Sequence, residues 1–204
     1  LSLAFIVLLT SMLASCHRGD DEYDPTPYDL TIPYGFPTRL NIPADNLMMV
    51  EGVALGKLLF NDPHLCGYTG TVPDSLMSCS SCHVRAHNYD VGMDNARFPN
   101  GVTHGRTGIA TPHNAMPLTN LVFNNEGYFW NGMICAANSN ANRRTLEDVV
   151  AMGIVAPHEM NSTTARAVAA IKKDSRYPVL FKKAFGTEDI TIDRIEKAIA
   201  QYIR

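Results

Sequence analysis

The sequence predicts a mostly α fold threaded with long loops, and three observations carry that prediction. Apolar residues recur at helical spacing over 46–60 and again at Ile192, Ile195, Ile199 and Tyr202. No run alternates apolar and polar residues in the manner of a half-buried strand. The segment 88–120 is dense in Gly, Pro, Asn and Thr, which marks irregular backbone. The chain has 204 residues, 46% of them apolar, enough for one domain with a real core or one plus a fragment.

In chain order, residues 1–13 form an apolar run the length of a signal-peptide core, short of the roughly 20 residues that a spanning helix needs. The run ends in Leu13-Ala14-Ser15-Cys16, which resembles the lipobox of bacterial lipoproteins. Residues 1–15 then read as a signal peptide, and a lipid on Cys16 would anchor a periplasmic protein to the membrane. The alternative is an ordinary secretory peptide with Cys16 as a bystander. Neither an initial Met nor a basic leader is present, so the natural start is expected upstream. Residues 16–43 read as a tether and then an extended surface segment, and 44–204 as the folded domain.

Asp45 or Asn46 is expected to cap a helix running to about residue 60, with Val50, Val53 or Ala54, and Leu58 facing the core; Asn61-Asp62-Pro63 stops it. Ser78 is placed to cap a short helix carrying Cys79, Cys82 and His83. The long loop 88–120 is expected to line a pocket. Thr145-Leu146-Glu147-Asp148 reads as a capping box opening a helix to 155. Helices over 162–173 and 178–185 follow, the second stopped by Gly186, and Thr191 caps a last one that ends at Arg204 without a C-cap.

The chemistry concentrates in Cys79-Ser80-Ser81-Cys82-His83. Two thiols three positions apart can form thioethers to both vinyl groups of one haem, and the adjacent imidazole can coordinate its iron. A zinc site would need two more ligands at short spacing, and a thioredoxin-like pair would sit in a βαβ context; the sequence offers neither. Haem would supply part of the core of a cytochrome c-like domain. Of the five cysteines, Cys66 and Cys135 remain, either bridged or separately buried. A formal charge of -3 without a basic stripe gives no sign of nucleic-acid binding. On the far side of the iron, the candidate ligands are Met93, Met116, Met133, Met160, His87, His104, His113 and His158. His87 is too near His83 to reach that side, whereas His104 sits in the middle of the loop.

Over roughly 43–204 the residues resemble the bacterial dihaem cytochrome c peroxidases and the related methylamine-utilisation dihaem enzymes. The resemblance rests on Glu51-Gly52-Val53-Ala54-Leu55-Gly56-Lys57-Leu58-Leu59-Phe60 with Asp62-Pro63, on Met77 to His83, and on His104-Gly105. It continues through Asn114-Ala115, Asn120, Phe123-Asn124, Phe129-Trp130-Asn131-Gly132, Glu159-Met160, Phe181 to Gly186 and Ile190-Thr191. It implies that His83 is the proximal ligand of the peroxidatic haem and His104 a displaceable distal ligand. Glu159 would be the acid/base, Trp130 would lie between two haems, and Asn114 would help bind calcium. A carboxylate over iron can move a proton between peroxide oxygens. By residue type alone, Glu159 would be a solvated cap and Trp130 a core side chain.

The chain departs from the family pattern at Val149, His113 and Met133, where glutamine, arginine and arginine are usual, and it has no second C-x-x-C-H. The family's second haem is therefore expected in a further C-terminal part. The implied function is reduction of hydrogen peroxide to water, with electrons from a small cytochrome or another periplasmic donor, in a protein that could form a homodimer. The alternative is a monohaem c-type electron-transfer protein or haem sensor with a filled sixth site. Oxidation of an amine or quinone precursor is a third reading.

Overall fold

The computed structural model describes residues 23–68, 76–91, 98, 101–129, 131–132, 134 and 145–204. Five α-helices follow in order within them: α1 Val50–Asn61, α2 Thr145–Val155, α3 Thr164–Ile171, α4 Tyr177–Phe185 and α5 Ile192–Ile203. Among the described residues, extended pairing is confined to isolated bridges, Pro27 with Met49, Val84 with Asp90, His104 with Ala110 and Tyr128 with Ile134. The mostly α, loop-rich class is thus the observed one. No helix among the described residues is long and apolar enough to cross a membrane.

The apolar stripe on α5 finds its partner in α1. Ile195, Ala198, Ile199 and Ala200 are buried on one side, and Gly52, Leu55, Gly56, Leu59 and Phe60 on the other. Two glycines set the approach: a Cβ on Gly56 would collide with the Ala198 carbonyl, and one on Gly52 with the Gln201 side-chain amide. This corrects the expected face, because Val50 and Leu58 are 44% and 48% exposed. Small residues at the crossing let the backbones come close, and Leu55, Leu59 and Phe60 then bury completely around them.

The expected cap is corrected as well. Met49 is the N-cap and offers no side chain, while its backbone N–H donates to Gln201 Oε1 at 3.0 Å, so α5 caps α1. Asn46 is buried, donates from Nδ2 to Glu147 Oε1 at 2.6 Å and accepts from Gln201 Nε2 at 2.8 Å. Glu147 also receives both Arg204 terminal nitrogens at 2.9 Å each, with both side chains fully shielded from solvent. Arg204 Nε donates to the Asn41 carbonyl at 2.7 Å, and its backbone N–H caps α5 on the Ala200 carbonyl. Arg204, read from the sequence as ending the helix without a C-cap, instead ties α5, α2 and the N-terminal segment together.

From residue 23 to 43 the chain runs over the surface without helix. Tyr28 N–H donates to the Met48 carbonyl at 3.0 Å, Val50 N–H to Thr26 at 2.8 Å and Asn41 N–H to Val122 at 2.7 Å. The signal segment and Cys16 lie outside the described residues. α3 is shorter than expected, opening after Thr163, whose Oγ1 accepts from Arg166 N–H at 3.2 Å. α4 stops where expected, at Gly186 in the left-handed region.

Candidate functional site

The cysteine pair sits on a single 3₁₀ turn, Cys79–Ser81, opened by Ser78 N–H donating to Ser81 Oγ at 3.1 Å. The expected helix through His83 is therefore corrected to one turn. The juxtaposition survives because Cys82 N–H and His83 N–H both close back on the Cys79 carbonyl, at 3.2 and 3.0 Å. The chain then reverses through Asn88 and Tyr89, both left-handed, at φ 57° and 61°. That bend brings the Tyr89 carbonyl to 3.1 Å from His83 Nδ1. A histidine whose Nδ1–H is held by a carbonyl ligates through Nε2. Burial pushes the imidazole below its ordinary value, against the Tyr89 and Met116 carbonyls and the Asp90 charge, and so favours the neutral, ligating form.

An aromatic cluster stands behind this bend. Phe60 packs 6.4 Å from the His83 ring and edge-on to Tyr89 and Tyr202, at 6.0 and 5.3 Å. The Tyr89 and Tyr202 hydroxyls share a 2.9 Å hydrogen bond.

In front of the bend lies a cavity of about 1040 Å³, lined by Cys79, Cys82, His83, the loop 111–118, Tyr128, Gly153 and the turn 158–160. That is the upper end of the roughly 300–1,000 Å³ that small-molecule and cofactor sites occupy. Burial, with smaller contributions from Cys82 and Glu159, pushes the Cys79 thiol up to about 12, opposite to a redox-active thiolate. Among the described residues, no group of three or more His, Cys, Asp or Glu is placed to hold a metal ion.

The far wall is the turn after α2. Glu159 N–H donates to the Ala156 carbonyl at 3.0 Å and Met160 N–H to Gly153 at 3.3 Å, folding the turn back over the helix end. Gly153 makes room for the carboxylate, since a Cβ there would stand 3.1 Å from Glu159 Oε2. Arg106 clamps the turn from outside: its backbone N–H donates to the Glu159 carbonyl, Nε to Met160 and Nη2 to Asn161, at 2.8, 2.8 and 3.0 Å. A Cβ on Gly105 would collide with the His158 carbonyl. Glu159 is half-buried, and burial raises its carboxyl above the ordinary range, with His158 pulling the other way.

The structure brings Cys79, Cys82, His83 and Glu159 to one cavity, with Asn114 on its rim. His104 is not among them. Its side chain is exposed and its backbone is pinned to Ala110, with Thr103 Oγ1 bonded to Thr111 Oγ1 at 2.8 Å beside it. In this conformation the expected distal ligand faces away, while His113, His158, Met116 and Met160 line the cavity. His87 holds the Val91 carbonyl at 3.0 Å and stays out of it. Trp130, Cys135, Met93 and Met133 lie outside the described residues, and so does the question of a Cys66–Cys135 bridge. Cys66 itself is fully buried, its thiol donating to the Pro63 carbonyl at 3.1 Å. Sequence reasoning missed Arg106, Tyr89 and Gly153; only Gly153 left a signal, as a glycine inside a helix.

Comparison with known proteins gives the family. Residues 50–204 match the family model described as di-haem cytochrome c peroxidase. The chain belongs to that family. It is 33% identical over 158 residues to a cytochrome c551 peroxidase of Nitrosomonas europaea, covering 78% of this chain and 40% of the relative. It is 32% identical over 169 residues to the methylamine utilization protein MauG of Methylorubrum extorquens, covering 82% and 41%. Among solved structures, a MauG-like protein associated with microbial copper homeostasis superposes with a TM-score of 0.67 at 27% identity, covering 86% and 46%. The chain thus spans about two fifths of the length of these curated relatives.

Family membership implies covalently bound c-type haem, and the residues fit it: two thiols one turn apart, a neutral imidazole oriented by a carbonyl, and a largely apolar cavity of sufficient size. Calcium fits less well. Asn114 is exposed and no acidic cluster surrounds it among the described residues, whereas calcium takes 6–8 oxygens.

Proposed function

We propose that the protein is the peroxidatic part of a cytochrome c peroxidase, reducing hydrogen peroxide to water with electrons from a small cytochrome or another periplasmic donor. The observation that carries this is a single cavity with Cys79, Cys82 and His83 on one wall and a half-buried carboxylate, Glu159, on another. Cys79 and Cys82 would hold the haem through thioethers, and His83 would ligate its iron. Haem held there would supply the redox chemistry of peroxide reduction. Glu159 takes the proton from one peroxide oxygen and returns it to the other, a task suited to a carboxyl held above its ordinary value. The remaining length of the relatives would bring the second haem, and Cys16 the membrane anchor.

In the haem-loaded full-length protein, Glu159→Gln lowers peroxide turnover by about 10²–10⁴-fold while the optical spectrum persists. Unchanged turnover overturns the reading. Met116 and Met160 on the same cavity favour the second reading, an electron carrier with a Met-filled sixth site. A Met-ligand band at the red edge of the visible that survives peroxide would decide for it.

A further inference from the structure

We propose that His158 is the proton relay that connects Glu159 to solvent. The proposal rests on the peroxidase reading and deepens it. Reduction of one peroxide to two waters consumes two electrons, delivered by the donor, and two protons, which must come from bulk water. The Glu159 shuffle between the two oxygens is internal and supplies neither, so the carboxylate needs a route for replenishment.

His158 has the geometry for that route. It lines the same cavity as Glu159, and its Nε2 stands 3.9 Å from Glu159 Oε1. A small side-chain rotation would bring the two within hydrogen-bond reach. The imidazole is 37% exposed, so it meets solvent while its Nε2 is turned toward the carboxylate. An imidazole carries two ring nitrogens, so it can accept from water at one and donate inward at the other. Its backbone is fixed independently of the ring, because the His158 carbonyl is packed against Gly105.

Two of the other charged or titratable groups around Glu159 are otherwise committed. The Arg106 guanidinium is held by the Met160 and Asn161 carbonyls and lies 4.2 Å over the Tyr68 ring. The Cys79 thiol stays neutral and would be consumed by haem attachment. His113 lines the cavity from the loop 111–118, without an ion pair to Glu159 among the described residues.

The test compares haem-loaded wild type, His158→Gln and Glu159→Gln at pH 7 in weak buffer, then adds hindered 2-methylimidazole as a diffusible proton carrier. His158→Gln should lower peroxide turnover by about tenfold, and the added base should restore it. Glu159→Gln should fall further and show no rescue. Independently of turnover, the infrared band of protonated Glu159 should persist to higher pH in His158→Gln, because a positive neighbour has been removed. Wild-type turnover in His158→Gln, a loss that no carrier restores, or an unmoved carboxyl titration each overturns the relay. Wild-type turnover in Glu159→Gln would instead overturn the underlying peroxidase reading.

Discussion

The two walls of the cavity are built in opposite ways. The Cys79–Asp90 wall is backed by side chains from helices, with Phe60 of α1 and Tyr202 of α5 pressed against the bend that aims His83. The Glu159 wall is backed by another loop, with Arg106 and Gly105 meeting bare carbonyls. Packing of large rings fixes a group that must not move. Hydrogen bonds between loops place a group that must stay wet enough to exchange a proton. The difference teaches where, on the proposed function, stability and reactivity would separate: attachment chemistry would rest on the helical core, and proton chemistry would sit at its edge.

The largest expected effect lies in the core behind the first wall. Arg204→Met leaves Glu147 buried without its cation and should cost about 3–5 kcal/mol, read from urea denaturation of the haem-loaded protein. Gly153→Ala acts on the second wall alone. It favours α2 by up to roughly 1 kcal/mol yet pushes the carboxylate aside by a few tenths of an ångström, so turnover should fall about tenfold while the denaturation midpoint holds or rises. Tyr202→Phe keeps the ring against Phe60 and removes one hydroxyl bond, at about 1 kcal/mol, with the haem still attached. The smallest effect carries a sign. Because burial raises the Glu159 carboxyl, the folded chain holds that proton more tightly than the unfolded one. Its contribution is present below the ordinary carboxylate value and lost as pH rises through the folded value. Glu159→Gln should therefore raise the denaturation midpoint at neutral pH and change little below about pH 4. Equal shifts at both pH values would break the contrast between the walls.

Local chemistry was legible in the sequence, and long-range partnership was not. The Cys79-to-His83 spacing, the Thr191 cap and the Gly186 stop each depend on neighbours within a few positions, and each sits where expected or within a turn of it. The buried face of α1 was misplaced because hydrophobicity counts Val50 and Leu58 as core, whereas the crossing with α5 selects Gly52 and Gly56 for their lack of bulk. Glu147 read as part of a capping box and Arg204 as a helix end without a C-cap; only the fold shows that they meet. His104 was placed by family pattern, and no spacing rule could tell which way an exposed loop side chain would face.

Because Arg106 and Gly105 grip the acid-bearing turn through its carbonyls, those two stretches form one exchangeable module. A chimera that imported residues 157–161 from a relative without residues 104–107 would arrive with its donors and acceptors out of register. Anyone grafting new oxidant specificity onto this scaffold should transplant both pieces together.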